Sequence, residues 1–203
     1  MESMKMTNAA KGDEIVLQGR KKVGKISETG KVTALVESAA QGDKQAFVAL
    51  IDLHRQTMYA TAMAVIHNEA DAMDAIQDVI LILWEKLHTL QNPKVFKTWM
   101  LRILVHRCSR MLKTKRREVP TDNVKDILTS PEEYTRLDEA ADVQRSMELL
   151  SEDDKLILQL FYFEDLSVYQ IAKVLSINPE AVRMRLSRSR RRFQKRFDMG
   201  GTV

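Results

Sequence analysis

Apolar residues recur at intervals of three and four positions from Phe47 onward, and no run of the chain alternates apolar with polar residues. Such intervals place side chains on one face of an α-helix, whereas a half-buried β-strand needs strict alternation. Only seven glycines and four prolines interrupt the 203 residues, and this leaves few turn-forming positions. The pattern therefore predicts an all-α protein.

Three helices are predicted in the first half of the chain. The first begins near Phe47 and ends near Asn68, and the second begins at Glu69. Pro93 ends the second helix, because proline fixes its own φ and disfavours a helical residue before it. The third helix runs from about Lys94 into a basic segment. Together they predict one compact helical domain.

The charges of the chain are sorted into blocks, although the net charge is only +4. Seven bases and no acid lie between Arg102 and Arg117, and eight bases and no acid lie between Arg183 and Arg196. The interval 118–142 holds eight acids against two bases and two of the four prolines, which is the composition of a linker. A charge run is often a solvated helix face, but a block of one sign repels itself unless a polyanion neutralises it. The distribution favours two basic helical modules that bind nucleic acid.

Several classes of protein are excluded by what the sequence lacks. Cys108 is the only cysteine, so the chain has no intramolecular disulfide and no cysteine pair for a zinc site. The longest apolar run, 79–84, is far shorter than the roughly 18–20 residues that span a bilayer, and residues 1–30 lack the apolar core of a signal peptide. No glycine-rich phosphate loop occurs. We therefore expect a cytoplasmic protein with no cofactor, no metal, no small-molecule substrate and no insertion into a membrane.

A helix-turn-helix is predicted over residues 166–186. Ser167 and Gln170 form an S-x-x-Q capping box, which begins a short helix. Ser176 lies in a tight turn, and Asn178, followed by a proline, starts the next helix. That second helix is the arginine-rich one, as in a DNA recognition helix.

The arginines of this helix suit both base reading and phosphate binding. A guanidinium can bridge O6 and N7 of guanine or pair with a phosphate, so Arg183, Arg188 and Arg192 can do either. Arg183 and Arg188 lie early, where a recognition helix meets base edges. Phosphate contact is expected later in the helix, at Arg191, Lys195 and Arg196.

Three segments, taken in order, resemble a bacterial RNA polymerase sigma factor of the extracytoplasmic-function class, within the sigma-70 family. Asp71-Ala-Met-Asp74-Ala-Ile-Gln77-Asp78-Val-Ile-Leu-Ile-Leu-Trp84 resembles the sigma region 2 motif, which is usually close to DAEDLVQEVFLRAW. Phe96-Lys-Thr-Trp99-Met-Leu-Arg102-Ile103 resembles the F-x-x-W-L-x-x-I segment that follows, and 162–192 resembles region 4. The resemblance covers about residues 32–197. The sequence departs from the usual pattern at His106, Arg110, Ser176 and Met184.

The resemblance implies a non-catalytic initiation subunit built from two small helical domains. Its implied segments are a flexible amino-terminal arm at 1–31, sigma region 2 at 32–117, an acidic linker at 118–142, sigma region 4 at 143–197 and a tail at 198–203. Region 2 would bind core polymerase and melt and hold the minus-10 element, and region 4 would bind the minus-35 duplex. The implied partners are core RNA polymerase, promoter DNA and an anti-sigma factor, which is commonly membrane-anchored.

The resemblance also assigns candidate site residues to three surfaces. The face that would dock to core polymerase contains Asp71, Asp74, Gln77 and Asp78. The surface for the minus-10 strand consists of a loop that would hold a flipped nucleobase and of side chains that would follow the phosphates. The loop residues are Gln91, Asn92 and Lys94, and the phosphate-binding residues are Lys97, Arg102, His106, Arg107, Arg110 and Lys113. The surface for the minus-35 duplex contains Ser167, Glu180, Arg183, Met184, Arg185, Arg188, Arg191, Arg192 and Lys195.

Two other functions stay open from the residues themselves. Asp71, Asp74 and Asp78 share one helix face, so they could bind a divalent metal in a DNA-processing enzyme such as a recombinase, although no histidine joins them at ligand spacing. Plain solvation of these three carboxylates is a further alternative, and it is favoured over a metal site. An ordinary helix-turn-helix repressor would instead bind duplex promoter DNA alone, as a dimer.

Three aromatic side chains and the cysteine are expected to be structural. Trp84, Phe96 and Trp99 lie on apolar stripes, where aromatics are more often core residues than platforms for bases. Cys108 lies among bases but is expected to be a buried, inert thiol.

Overall fold

The computed structural model describes residues 25–118, 147 and 150–200. Four helices form what we call the amino-terminal module: α1 at Lys25–Ala40, α2 at Lys44–Val65, α3 at Glu69–Lys86 and α4 at Phe96–Glu118. Two short 3-10 turns, Leu87–Thr89 and Pro93–Val95, connect α3 to α4.

In the described part of the carboxyl-terminal module, three helices have defined bounds. They are α5 at Glu152–Leu158, which continues into a π-helical turn at Gln159–Phe163, α6 at Val168–Leu175 and α7 at Pro179–Gly200. No strand occurs in these residues or in the amino-terminal module, so the prediction of an all-α fold is confirmed. None of the described helices is long and apolar enough to cross a membrane.

Side-chain caps begin α2 and α3. α3 starts at Glu69 as predicted, whereas α2 starts at Lys44, before the predicted start near Phe47. Asn68 Oδ1 accepts a hydrogen bond from the Asp71 amide at 3.0 Å and starts α3. Asp43 caps α2 in the same way, with Oδ1 2.9 Å from the Gln45 nitrogen. Each cap satisfies an amide that the first turn of a helix leaves without a partner, which is worth about 1 kcal/mol. The boundaries between α1, α2 and α3 are therefore local properties of the sequence.

The first helix begins inside the segment that the sequence assigned to a flexible arm. α1 starts at Lys25, and residues 1–24 of the predicted arm 1–31 lie outside the described residues. The helix is stabilised by tertiary contact, because Val36 and Ala39 are buried against α2. α1 also packs on both 3-10 turns. At the other end, α7 extends into the predicted tail 198–203, and residues 119–142 of the predicted linker are not among the described residues.

The core of the amino-terminal module lies between α2, α3 and α4. Leu50, Val79, Phe96 and Leu104 are fully buried there. Burying side chains of this size contributes about 1.5–3 kcal/mol each. The expectation that Phe96 is a core residue is confirmed.

The helix-turn-helix has the predicted caps. Ser167 Oγ accepts from the Gln170 amide at 3.3 Å, and Gln170 Oε1 accepts from the Ser167 amide at 2.9 Å, so the capping box is complete. Asn178 Oδ1 accepts from the Ala181 amide at 2.6 Å and begins α7. Ser176 ends α6 with φ of 54°, in the left-handed region where a residue other than glycine costs about 1 kcal/mol or more. The turn is therefore formed at some energetic cost.

The two modules pack against each other. α6 lies on α4, and α5 lies on α2. The buried apolar side chains of both modules form one continuous cluster. The sequence predicted two domains on a linker and gave no sign of this contact.

Candidate nucleic-acid interface

Four exposed side chains form a stripe along α4. Arg102, His106, Arg110 and Lys113 follow one another at helical intervals, and all four are exposed. These intervals keep them on one face of the helix. Such a row can pair with successive phosphates of a strand. The structure thus brings together four of the residues predicted for minus-10 DNA.

The loop before α4 is exposed and held in shape. Gln91, Asn92 and Lys94 are all exposed. Asn92 Oδ1 accepts from the Lys94 amide at 3.0 Å and caps the 3-10 turn that follows. Because α1 packs on this turn, the loop has support from a helix that the sequence analysis missed.

Two ion pairs tie α3 to α4. Arg107 Nε donates to Asp78 Oδ2 at 2.8 Å, and Lys115 Nζ donates to Asp71 Oδ2 at 2.6 Å. Two of the carboxylates predicted to dock to polymerase are therefore ion-paired within the module. Arg107, predicted to contact DNA, is ion-paired there as well. No described group of three His, Cys, Asp or Glu side chains is arranged to hold a metal. Two of the three carboxylates that a metal site on α3 would need, Asp71 and Asp78, are therefore paired with basic side chains.

The outer face of α3 carries the other two predicted polymerase residues. Asp74 and Gln77 are exposed. Leu81 is 64% exposed, and Trp84 is 37% exposed on the same side, with its ring 5.0 Å from that of Phe47. Leu81 and Trp84 together form a small exposed apolar patch beside polar groups, and a contiguous patch with a polar rim is the pattern of a protein-binding surface. Leu81 was not among the predicted residues, although it is an apolar residue on the polar side of the helix and this pattern is visible in the sequence.

The predicted minus-35 residues are all exposed. Ser167 lies at the start of α6, and the others project from α7: Glu180, Arg183, Met184, Arg185, Arg188, Arg191, Arg192 and Lys195. Val182 and Leu186 are buried against the rest of the module. Glu180 forms an ion pair with Arg183 and raises the pKa of the Arg183 guanidinium. α7 therefore presents a strongly positive face on an apolar base.

Asp154 fixes α7 to α5. This buried carboxylate accepts hydrogen bonds from Ser189 Oγ at 2.5 Å, Arg192 Nη1 at 2.7 Å and Ser151 Oγ at 2.9 Å. Burial acts to raise the pKa of Asp154, but the hydrogen bonds and the Arg192 charge outweigh it and lower the pKa. Arg192, predicted to contact DNA, is thus also a structural partner within its module. The role of Asp154 was not predicted, since nothing near it in the sequence indicates a contact with α7.

Arg190 faces the body of the carboxyl-terminal module. Its guanidinium carbon lies 5.1 Å from the ring centre of Phe161 and 5.5 Å from that of Tyr162. Cation–π contacts of this kind contribute about 0.5–1 kcal/mol at exposed sites. Not every arginine of the basic block therefore points towards the DNA-binding side.

A cluster of polar contacts joins the two modules at Glu164. The side chain of Glu164 is buried, and its Oε2 lies 2.9 Å from Thr57 Oγ1 on α2 and 2.8 Å from Lys97 Nζ on α4. Lys97 Nζ also donates to the backbone carbonyl of Glu164 at 3.0 Å. Lys97, predicted to contact the minus-10 strand, is thus engaged by the other module. Neither Glu164 nor Thr57 was among the predicted residues.

Cys108 and two of the aromatic residues have structural surroundings. Cys108 is fully buried, as predicted, and burial raises the pKa of its thiol to about 11. Trp99 is half-buried against the core, with its ring 6.2 Å from that of Phe96. Trp84 was predicted to be a core residue, but its side chain is partly exposed.

Comparison with known proteins identifies both modules. Residues 50–118 match the family model for sigma-70 region 2, and residues 140–193 match that for sigma-70 region 4. The chain is 31% identical over 150 residues to RNA polymerase sigma factor SigV of Bacillus subtilis, covering 73% of this chain and 89% of the relative. It is 23% identical over 161 residues to the ECF RNA polymerase sigma factor SigM of Mycobacterium tuberculosis, covering 79% and 82%.

The fold is also shared with a solved structure. The sigma factor RpoE of Bartonella quintana, in complex with the anti-sigma factor NepR, superposes with a TM-score of 0.62 at 21% identity, covering 75% of this chain and 96% of that one. The helices and their order are thus those of a known two-domain architecture.

Proposed function

This chain belongs to the sigma-70 family of RNA polymerase sigma factors, in its extracytoplasmic-function class. We propose that its two modules have different roles in promoter-directed transcription initiation. The chain binds core RNA polymerase and promoter DNA. The carboxyl-terminal module reads the minus-35 duplex through α7. The amino-terminal module holds the minus-10 strand on α4 and the preceding loop. The observation that carries this assignment is that both sigma-70 regions match in order in one chain, onto α2–α4 and onto the helices that contain the helix-turn-helix.

Opening of the minus-10 element exchanges stacking between base pairs for contacts between single bases and the protein. Separating a base-pair step loses about 1.4 kcal/mol of stacking. Capture of a splayed base by stacking and edge contacts returns about 1–3 kcal/mol. A few captured bases in the loop at 91–94, with their phosphates on the stripe of α4, therefore trap an opened strand without ATP. The chain itself supplies no catalytic step, and it works in the cytoplasm, where polymerase and chromosome are.

Docking to core polymerase uses the outer face of α3. Asp74 and Gln77 provide exposed polar groups, and Leu81 provides the apolar contact. Asp71 and Asp78 contribute by fixing α3 against α4 through their ion pairs. Charges at the edge of such an interface set the rate of association more than the final affinity.

An anti-sigma factor regulates the chain by covering these same faces. The support is the likeness to RpoE of Bartonella quintana, whose structure contains the anti-sigma factor NepR. A soluble or a membrane-anchored partner would serve equally, since only its sigma-binding segment has to reach α3 and α4.

Run-off transcription tests the proposed function. Purified core polymerase is incubated with the chain and with fragments of the source genome, and the 5′ ends of the transcripts are sequenced. We expect discrete transcripts that form only when the chain is present. The DNA upstream of their 5′ ends should share two sequence elements. Core polymerase alone is the control. Tight binding of duplex DNA by a dimer of the chain, with no polymerase-dependent transcript, would indicate a repressor instead.

A further inference from the structure

An apolar side chain is exposed within the arginine-rich part of α7. Met184 is 55% exposed, and its neighbours in the chain, Arg183 and Arg185, are exposed as well. A single apolar side chain on a protein surface is common and indicates nothing by itself. What matters for Met184 is therefore its place on the helix.

Met184 lies on the side of α7 that points directly away from the module. Val182 and Leu186 are buried, so they fix which side of α7 faces the module core. Each residue of an α-helix is rotated by about 100° from the one before it, so Met184 lies about 200° past Val182 and about 200° before Leu186. It is therefore almost opposite the middle of the buried side.

Met184 also lies near the start of the helix. Asn178 caps α7, which begins at Pro179, so Met184 belongs to the second turn. A recognition helix brings the residues of its first turns against the base edges of the major groove. The groove is about 12 Å wide and about 8.5 Å deep, and the side of the helix that points away from its own module enters it farthest. The position of Met184 thus suits contact with bases rather than with phosphates.

A methionine side chain can read one group of the major groove well. It has no hydrogen-bond donor, and its thioether sulfur is only a weak acceptor, so it is a poor partner for the polar groups of the base edges. The C5-methyl group of thymine is the apolar group that the groove presents. Contact between this methyl group and an unbranched, flexible methionine removes apolar surface of both from water.

The exposed side chains one turn away complement such a contact. Glu180 and Arg188 lie four positions before and after Met184, so the three form a ridge along the outward side of α7. A carboxylate can accept from the amino group of cytosine, and a guanidinium can donate to O6 and N7 of guanine. The ridge therefore offers an acceptor, an apolar contact and a donor, in that order, to the floor of the groove.

We propose that Met184 specifies thymine at one position of the minus-35 element, through contact of its side chain with the C5-methyl group. This role rests on the proposed function of α7 as the helix that reads the minus-35 duplex. Removal of the methyl group from that thymine, with no change in base pairing, should then weaken binding only while Met184 is present.

The measurement is the affinity of the holoenzyme for promoter duplexes that differ by one methyl group. The minus-35 element is taken from the promoters found by run-off transcription, and each of its thymines, on either strand, is replaced in turn by deoxyuridine. Deoxyuridine pairs with adenine as thymine does and lacks only the C5-methyl group. We expect one replacement to weaken binding about fourfold, which is the value of one buried group of this size, and the others to have less than about a twofold effect.

Three variants of the chain show which side chain reads the methyl group. Met184→Ser removes the apolar contact at an exposed position, so it should bind the thymine and deoxyuridine duplexes equally well. Met184→Leu keeps an apolar side chain and should retain a preference for thymine. Val48→Ser is the matched control, because Val48 is 59% exposed on α2 and lies outside the surfaces assigned to DNA and polymerase. It should retain the full preference.

A second probe separates the methyl group from the rest of the thymine base. At the sensitive position, a pair of 5-methylcytosine with guanine should bind more tightly than a pair of cytosine with guanine, again by about fourfold. Met184→Ser should abolish this difference as well. A methyl effect with both bases would show that the contact is made to the methyl group itself.

The outcomes separate the role of Met184 from that of α7. If no deoxyuridine replacement weakens binding while the holoenzyme still prefers its minus-35 element, α7 reads the duplex without Met184 and the proposed role is wrong. A methyl effect that persists in Met184→Ser would overturn it too, because another side chain would then contact the thymine. If the holoenzyme shows no preference for any minus-35 sequence, the proposed function of α7 fails and the role of Met184 fails with it.

Discussion

Asp154 shows how one side chain fixes the orientation of a DNA-binding helix. Its carboxylate receives hydroxyl and guanidinium donors from α7, so the position of α7 depends on the charge of one acid. Hydrogen bonds to a charged group contribute about 1.5–3 kcal/mol each when buried. A neutral residue at this position should therefore alter both stability and its dependence on pH.

We predict that the stability of the chain falls in acid partly because Asp154 becomes protonated. Its pKa in the folded chain lies below the ordinary value of 3.8, so its stabilisation is fully present above that value and is lost as the pH falls through the folded pKa. Asp154→Asn should lower the free energy of unfolding by about 1–3 kcal/mol at pH 7 and reduce its change between pH 5 and pH 2. Thermal unfolding at a series of pH values measures this. The exposed Asp153→Asn should behave like the unaltered chain, and equal losses in both variants would contradict the assignment.

We predict that Cys108 reacts with a thiol reagent only when the chain unfolds. Burial raises the pKa of this thiol to about 11, so very little thiolate exists at pH 8, and the sulfur is inaccessible. Reaction with a chromogenic disulfide should be slow in buffer and fast in denaturant. Rapid modification of the native chain would mean that α4 opens locally in this region.

The helices differ in how far local sequence determines them. α3, α6 and α7 begin at side-chain caps that are visible in the sequence, and their starts were predicted to the residue. α1 was missed, because its few apolar residues form a helix only through burial against α2 and the 3-10 turns. The start of α4 was placed about two residues early, because Pro93–Val95 forms a separate 3-10 turn.

We predict different effects for two carboxylates of α3. Asp74→Lys should weaken binding of core polymerase several-fold and leave stability unchanged, because Asp74 is exposed and a charge at an interface edge acts on association. Asp78→Lys should also lower stability, because it places a cation beside Arg107. Binding kinetics to core polymerase, with thermal unfolding of the free chain, separate the two. Unchanged polymerase affinity in Asp74→Lys would exclude this face as the docking surface.

We predict a division of labour along α7. Arg183→Ala should cost about 1–3 kcal/mol on the cognate minus-35 element and relax the preference at one base position. Lys195→Ala should weaken binding to all sequences alike and reduce the salt slope by about one. Holoenzyme binding to single-base promoter variants over a range of salt concentrations provides the measurement. The same uniform loss in both variants would mean that α7 is only an electrostatic anchor.

At the scale of the whole molecule, the sequence predicted the parts but not their contact. Charge blocks and motifs located both modules, and all the residues predicted for the minus-35 face are exposed. The contact could not be predicted, because Glu164 is one acid in an aromatic segment and its partners lie 67 and 107 positions away. The pairing of Arg107 with Asp78 was hidden for the same reason, since each residue was assigned to a different outside partner.

The packed arrangement predicts a quantitative link between two binding reactions. Suppose that core polymerase and single-stranded DNA bind only chains whose two modules are apart. The apparent dissociation constant of either ligand is then its intrinsic value divided by the fraction of chains with the modules apart. A substitution that changes only this fraction must then change every apparent affinity by the same factor. Glu164→Gln and Thr57→Val lie outside the predicted polymerase face, so each should tighten binding of core polymerase and of minus-10 single strand by equal factors. Titrations of both ligands against the same protein preparations measure these factors. A gain for single strand with none for polymerase would restrict the effect of Glu164 to Lys97, and polymerase would then bind the packed form before the modules separate.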